Sequence, residues 1–178
     1  MKLHRAWILQ AASDLTTASM LEAAGSDRCQ VVAKCQQTAE KSMKALVEAL
    51  GLAIGLRIRV GKDHRVLGFA KHIRETATPA IPKRLGWLKD ELERAFPAHV
   101  IEAIESLDLV VPKYPASGQL ASRNSDYPFQ PVTASEWFPP CHHGVFGKGD
   151  QKRWFFAVDR LHGDVSKILS SLELAHLI

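Results

Sequence analysis

Cysteine is scarce: three residues, Cys29, Cys35 and Cys141, in a chain of 178. An odd number cannot close an even disulfide framework. Cys29 and Cys35 are six positions apart in a helical pattern, so they face different directions. Reduced thiols in a cytoplasmic protein are the simplest expectation. Long apolar runs are also missing, which excludes a membrane-spanning helix. The first residues, Met1 to Trp7, lead into a segment interrupted by Gln10, Ser13 and Asp14, so no signal peptide is expected. Repeats and low-complexity tracts are absent. The charge excess is small, +4, which permits contact with phosphates without demanding it.

What is present is helical periodicity. From about Asp27 to Gly51, Val32, Cys35, Ala39, Met43, Leu46 and Leu50 recur every three or four positions, forming one apolar stripe. The opposite face carries Gln36, Gln37, Glu40, Lys41 and Lys44. Glu40 and Lys44 stand in the favourable order for a pair four apart. An earlier helix, about His4 to Ala24, repeats Trp7, Ala11, Leu15, Ala18 and Leu21. Gly25-Ser26-Asp27 joins the two as a helical hairpin, with Gly as stop and Ser or Asp as cap. Asp14 and Glu40 are expected to be partly buried acids in that hairpin, each in need of a partner.

After Gly51, residues 52–61 read as an extended connector. A third helix is expected from about His64 to Thr76, with Val66, Phe69 or Ala70, and Ile73 inward. Thr78-Pro79-Ala80-Ile81-Pro82 is expected to break it. A fourth starts near Pro82 with Leu85, Leu88 and Leu92 inward, and Pro97 kinks or breaks it before Val100 to Leu107. Residues 111–149 lose periodicity and gather prolines, glycines and aromatics. A loop of that length is usually functional or disordered; its aromatics argue that it packs on the body. A last helix runs from about Asp150 to Ala175, with Trp154, Phe155 and Phe156 mostly supplying core. The expected fold is all-α, a single domain over 1–178. It is an up-and-down bundle of about five helices with the long loop before the last one.

The stretch Gln36-Gln37, Ala39-Glu40-Lys41 and Lys44-Ala45-Leu46 resembles the second-helix signature of the HEPN superfamily of helical nucleotide-binding domains. Trp7, Ala11, Ala12 and Asp14-Leu15 are similar to that family's first-helix pattern. Lys62-Asp63-His64 sits where members often begin the third helix. Lys113-Tyr114-Pro115 and Arg123-Asn124-Ser125-Asp126-Tyr127-Pro128 are similar to a segment before the last helix. The resemblance implies a helical bundle, commonly a homodimer. It further implies either binding of a nucleotide, RNA or a nucleotidyltransferase-like partner, or metal-independent RNase activity of the toxin–antitoxin kind. No cofactor and no metal are implied.

Catalytic members are expected to use an Arg followed, after a short interval, by a His. The Arg holds the scissile phosphate, and the His moves the proton of the attacking ribose hydroxyl. The literal matches are Arg57 or Arg59 with His64, Arg65 with His72, and Arg94 with His99. With 11 Arg and 8 His, about 1.5 such matches arise by chance. Arg94 to His99 also departs from the family pattern, since Pro97 lies between them and no polar residue follows Arg94. Arg123-Asn124 has the right dipeptide but no His at the right distance beyond it. The basic run from Arg57 to Arg74, including Arg59 and His64, reads either as a phosphate-contacting patch or as a solvated face. Arg123, Asn124 and Tyr127 read either as a pocket for phosphate and base or as a brace, with Arg123 paired to Asp14 or Glu40. Cys141-His142-His143 is too compact to surround one ion, so a surface loop is expected.

Overall fold

The computed structural model describes residues 1–25, 28–55, 66–110 and 147–178. Among them every regular element is helical, so the fold is all-α. Helix α1 spans Leu3–Ala23 and α2 spans Arg28–Ile54. Gly25 closes α1 in the left-handed region, at φ 63°, a conformation that costs glycine little. The hairpin is antiparallel: Asp14 midway along α1 meets Lys34 and Lys41, while Trp7 near its start meets Lys44 further along α2.

Helix α2 continues past Gly51, where the sequence predicts its end. Leu52, Ala53 and Ile54 are helical rather than extended, and Gly55, at φ 69°, is the stop. Glycine inside a helix costs only about 1 kcal/mol relative to alanine, so tertiary packing carries the helix through Gly51.

Helix α3, Val66–His72, widens into a π-turn at Ile73–Ala77 and closes in α4, Thr78–Ala80. The expected break over Thr78-Pro79-Ala80-Ile81-Pro82 thus falls at the end of that stretch, and the helix outlasts its expected limit near Thr76. Proline has no N–H to give a helix, and the wide turn absorbs Pro79. Thr78 donates both its amide and its hydroxyl to the Ile73 carbonyl. The chain leaves the helical region at Ile81, ψ 121°, directly before Pro82; a residue preceding proline is disfavoured in the α region. A 3₁₀ turn, Lys83–Leu85, leads into α5, Gly86–Ala95. Phe96 and Pro97 then make a full break, and α6 follows at Ala98–Val110.

The last helix, α7, is Lys148–Leu174. It runs antiparallel to α6, since Ser106 meets Arg153 and Trp154 while His99 meets Arg160. Helix α2 lies in the middle, packed by α1, α3, α6 and α7. Its stripe of Val32, Cys35, Ala39, Met43, Leu46 and Leu50 is buried throughout, joined by Leu161, Val165, Ile168 and Leu172 of α7. The Cys35 thiol is pushed up to about 12 by this burial, with Glu22 adding to the shift. One aromatic expectation is corrected. Trp154 is buried and Phe155 half-buried, but Phe156 is 68% exposed. The inward register on α7 runs through 154, 158, 161, 165 and 168, and three consecutive aromatics cannot share it.

Candidate functional site

The polar face of α2 is not turned to solvent. It is pressed against α1, with Gln36, Glu40 and Lys44 all buried. Asp14 of α1, also buried, lies 3.3 Å from the Lys34 ammonium and in close contact with that of Lys41. Lys34 donates a second bond, 2.9 Å, to the Gln37 side-chain carbonyl. One turn further on, the Lys44 ammonium meets Glu40 Oε1 at 2.5 Å, and Gln36 donates to Glu40 Oε2 at 3.3 Å. Lys44 also sits over the Trp7 ring, 5.1 Å from its centroid, within reach of a cation–π contact. These residues form two neighbouring groups along α2: Asp14 of α1 with Lys34, Lys41 and, through Lys34, Gln37; and Glu40 with Lys44 and Gln36, the Lys44 ammonium over Trp7 of α1. Buried charges are tolerated only when paired in this way. Asp14 and Glu40 do have the partners they need, and lysines of α2 supply them.

The proposed Arg–His pairs fare differently. Arg94 is held on its own helix by Glu91 at 2.7 Å and by the Asp90 carbonyl. His99 instead meets Arg160 of α7, Nε2 to Nη1 at 3.2 Å. His72 is half-buried, its Nε2 lacking a hydrogen bond. Arg57, Arg59, His64, Arg65, Arg123, Asn124 and Tyr127 lie outside the described residues, as do Lys113-Tyr114-Pro115 and Cys141-His142-His143. Among the described residues no three His, Cys, Asp or Glu side chains gather as metal ligands. Nor is any helix among them long and apolar enough to cross a membrane.

A second locality escaped the sequence reading. A cleft of about 1040 Å³ opens between the start of α1 and the end of α7, with His4, Arg5, Ile8, His162, Leu169 and Glu173 among its lining residues. Arg5 donates to both carboxylate oxygens of Glu173, at 2.8 and 3.2 Å. That bonding holds Glu173 below the usual carboxylate range. His4 is fully buried, its Nε2 3.5 Å from Glu173 Oε1. At the inner side His162 Nδ1 lies 3.1 Å from the Ser42 hydroxyl of α2. No local signal marks this cleft, because Arg5 and Glu173 are 168 positions apart and only the docking of α1 on α7 unites them.

Burial lowers the pKa of His162, and Asp159 opposes the shift. The unfolded chain then binds a proton near pH 6.5, where the folded chain resists it. The contribution of His162 to stability is complete above that value and declines as pH falls through it toward the lower folded pKa. Thermal melts between about pH 8 and pH 5 should show a drop in midpoint that is shallower in His162→Gln. Identical slopes for the two proteins would contradict this account.

The chain matches no family model, no curated protein and no solved structure with which it was compared.

Proposed function

We propose that this chain is a HEPN-like helical protein that binds a nucleotide, an RNA or a nucleotidyltransferase-type partner and carries no well-formed catalytic motif. The observation that carries the reading is the fate of the second-helix signature. Lys41 and Lys44 join α2 to α1 through Asp14 and Trp7, while Gln37 and Glu40 bond Lys34 and Lys44 of α2 itself, so these residues build a scaffold instead of offering free groups to a scissile phosphate. The described members of the Arg–His pairs support the same reading, since Arg94 and His99 turn to Glu91 and Arg160. On this reading the protein is a cytoplasmic homodimer, and the basic run from Arg57 to Arg74 and the Arg123–Tyr127 segment supply its contacts with phosphate and base.

One observation favours a second reading, a dimeric, metal-independent RNase toxin. His99 and Arg160 adjoin at an exposed site, and an imidazole beside a guanidinium is the pair needed to move a ribose proton while holding a phosphate. Incubation of the purified protein with total RNA in EDTA separates the two. Intact RNA at high protein concentration, with retention of labelled RNA or nucleotide in a binding assay, is the expected result. Cleavage that disappears in His99→Ala or His72→Ala would replace the binding reading with the toxin reading.

A further inference from the structure

A groove of about 560 Å³ opens where the π-turn, α5 and α6 meet, and it shares no lining residue with the cleft between α1 and α7. Each wall follows from its helix. On α6, Ala98, Ile101, Glu102 and Glu105 are three or four apart and form one stripe. On α5, Leu92 and Phe96 are four apart, and Glu93 adjoins them. Ile73, Arg74 and Thr78 come from the π-turn and its cap. The inner surface is apolar: Ile73 and Leu92 are buried, while Phe96 and Ile101 are half-buried.

The rim is acidic. Glu93, Glu102 and Glu105 are exposed, and among the described residues none of them has a cation or a hydrogen-bond donor. Asp14, Glu40, Glu91, Asp164 and Glu173 by contrast each meet a lysine or an arginine. The chain holds 23 basic residues against 19 acidic ones, so a shortage of cations does not explain the three open carboxylates. Like charges one turn apart on a helix are destabilising, so Glu102 and Glu105 repel each other until a cation joins them. The backbone adds an acceptor. A helical carbonyl is met by the amide four or five residues on. For Arg74 those residues are Thr78, whose amide goes to Ile73, and Pro79, which has no amide hydrogen.

Apart from the Arg74 side chain, then, the rim offers acceptors. Such a surface repels phosphate and attracts lysine or arginine. The apolar interior calls for an apolar side chain beside those cations. The two requirements together describe an amphipathic helix laid in a groove.

We infer that the groove between the π-turn, α5 and α6 binds a basic amphipathic helix of a partner protein, with an apolar side chain on Phe96 and Ile101 and lysines or arginines on Glu93, Glu102 and Glu105. This goes beyond the reading above, whose phosphate contacts lie on basic segments, and does not depend on it.

Fluorescence anisotropy of the full chain with a labelled leucine–lysine amphipathic peptide tests it. Peptides with glutamate for lysine, or serine for leucine, are the controls. The leucine–lysine peptide should bind saturably and lose affinity as salt rises. The glutamate peptide should not bind, and the serine peptide should bind more weakly. Glu102→Gln combined with Glu105→Gln should weaken binding by about tenfold or more, the loss expected for charge-assisted hydrogen bonds. Ile101→Ser should weaken it several-fold, whereas Asp164→Asn, outside the groove, should leave it unchanged. Melting midpoints verify that the variants fold; should Ile101→Ser fail to, the glutamine pair decides alone. No saturable binding, equal binding of the glutamate peptide, or indifference to the glutamine pair would overturn the site. Sedimentation supplies the remaining arm: self-association that the glutamine pair abolishes would seat a second copy in the groove and overturn the partner. Loss of RNA retention in the glutamine pair would put nucleic acid there and overturn it equally, while unchanged retention with weakened peptide binding supports it.

Discussion

Glu40→Ala should destabilise the protein by about 3–5 kcal/mol, the cost of leaving one member of a buried ion pair without its partner. The side chains of Glu40 and Lys44 are only 11% and 9% exposed, and their charged atoms meet at 2.5 Å. Truncation strands the Lys44 ammonium between α1 and α2, with the Trp7 face as a weak substitute. It also removes the acceptor of Gln36. Urea unfolding followed by circular dichroism measures the loss. The companion variant is Glu40→Leu with Lys44→Met, which replaces the pair by apolar groups of similar volume. Such exchanges are often neutral or stabilising, so the double variant should recover most of the loss. A loss below about 1 kcal/mol in Glu40→Ala would place this pair among ordinary surface ion pairs and would contradict the packing described.

The asymmetry between the single and double variants has a functional reading. If the pair can be replaced without loss of stability, then its charges are not required for folding as such. They fix which face of α2 meets α1, and so which face of α2 is left for α7. A specificity role of this kind is a hypothesis for this protein. A double variant that is stable but has lost the Arg5–Glu173 contact, seen as altered backbone resonances at the cleft, would bear it out. An unchanged cleft would refute it.

The long helices were legible because their apolar positions repeat over many turns. Val32 to Leu50 on α2 and Val158 to Leu172 on α7 stand inward as the period requires. Breakers were legible as residues but not as positions. Gly51 and Gly55 are equivalent as letters, and only Gly55 takes positive φ. Pro79 is accommodated by a π-turn, whereas Pro82 and Pro97 interrupt the chain. The signature residues of α2 were legible too, but their burial was not. Periodicity separates a polar face from an apolar one; it does not say whether water or another helix covers the polar face. Only the matching Asp14 and Trp7 on α1 decide that, and their partners Lys34, Lys41 and Lys44 lie 20 or more positions away. His4, Arg5 and Glu173 are the extreme case, since they belong to opposite ends of the chain.

Trp154→Ala is expected to cost about 3–5 kcal/mol, the range for removing a large aromatic side chain from a core. The indole is 2% exposed and donates from Nε1 to the Ser106 hydroxyl at 2.7 Å, tying α7 to α6. Arg153 donates to the same oxygen from the helix surface, at 3.0 Å. Trp154→Phe isolates the polar part: most of the apolar area returns, and the loss should fall to about 1–3 kcal/mol. Phe156→Ala is the decisive comparison, because the sequence places it beside Trp154 in an aromatic run while the fold leaves it 68% exposed. It should change stability by no more than about 0.5 kcal/mol. Chemical unfolding of the three variants side by side measures the inward register of α7. If Phe156→Ala were as damaging as Trp154→Ala, α7 would be rotated about its axis relative to α2 and α6, and the His99–Arg160 and Arg5–Glu173 contacts would be lost with it. The aromatic run thus reports on the register of the helix that carries both the His99–Arg160 and the Arg5–Glu173 contacts.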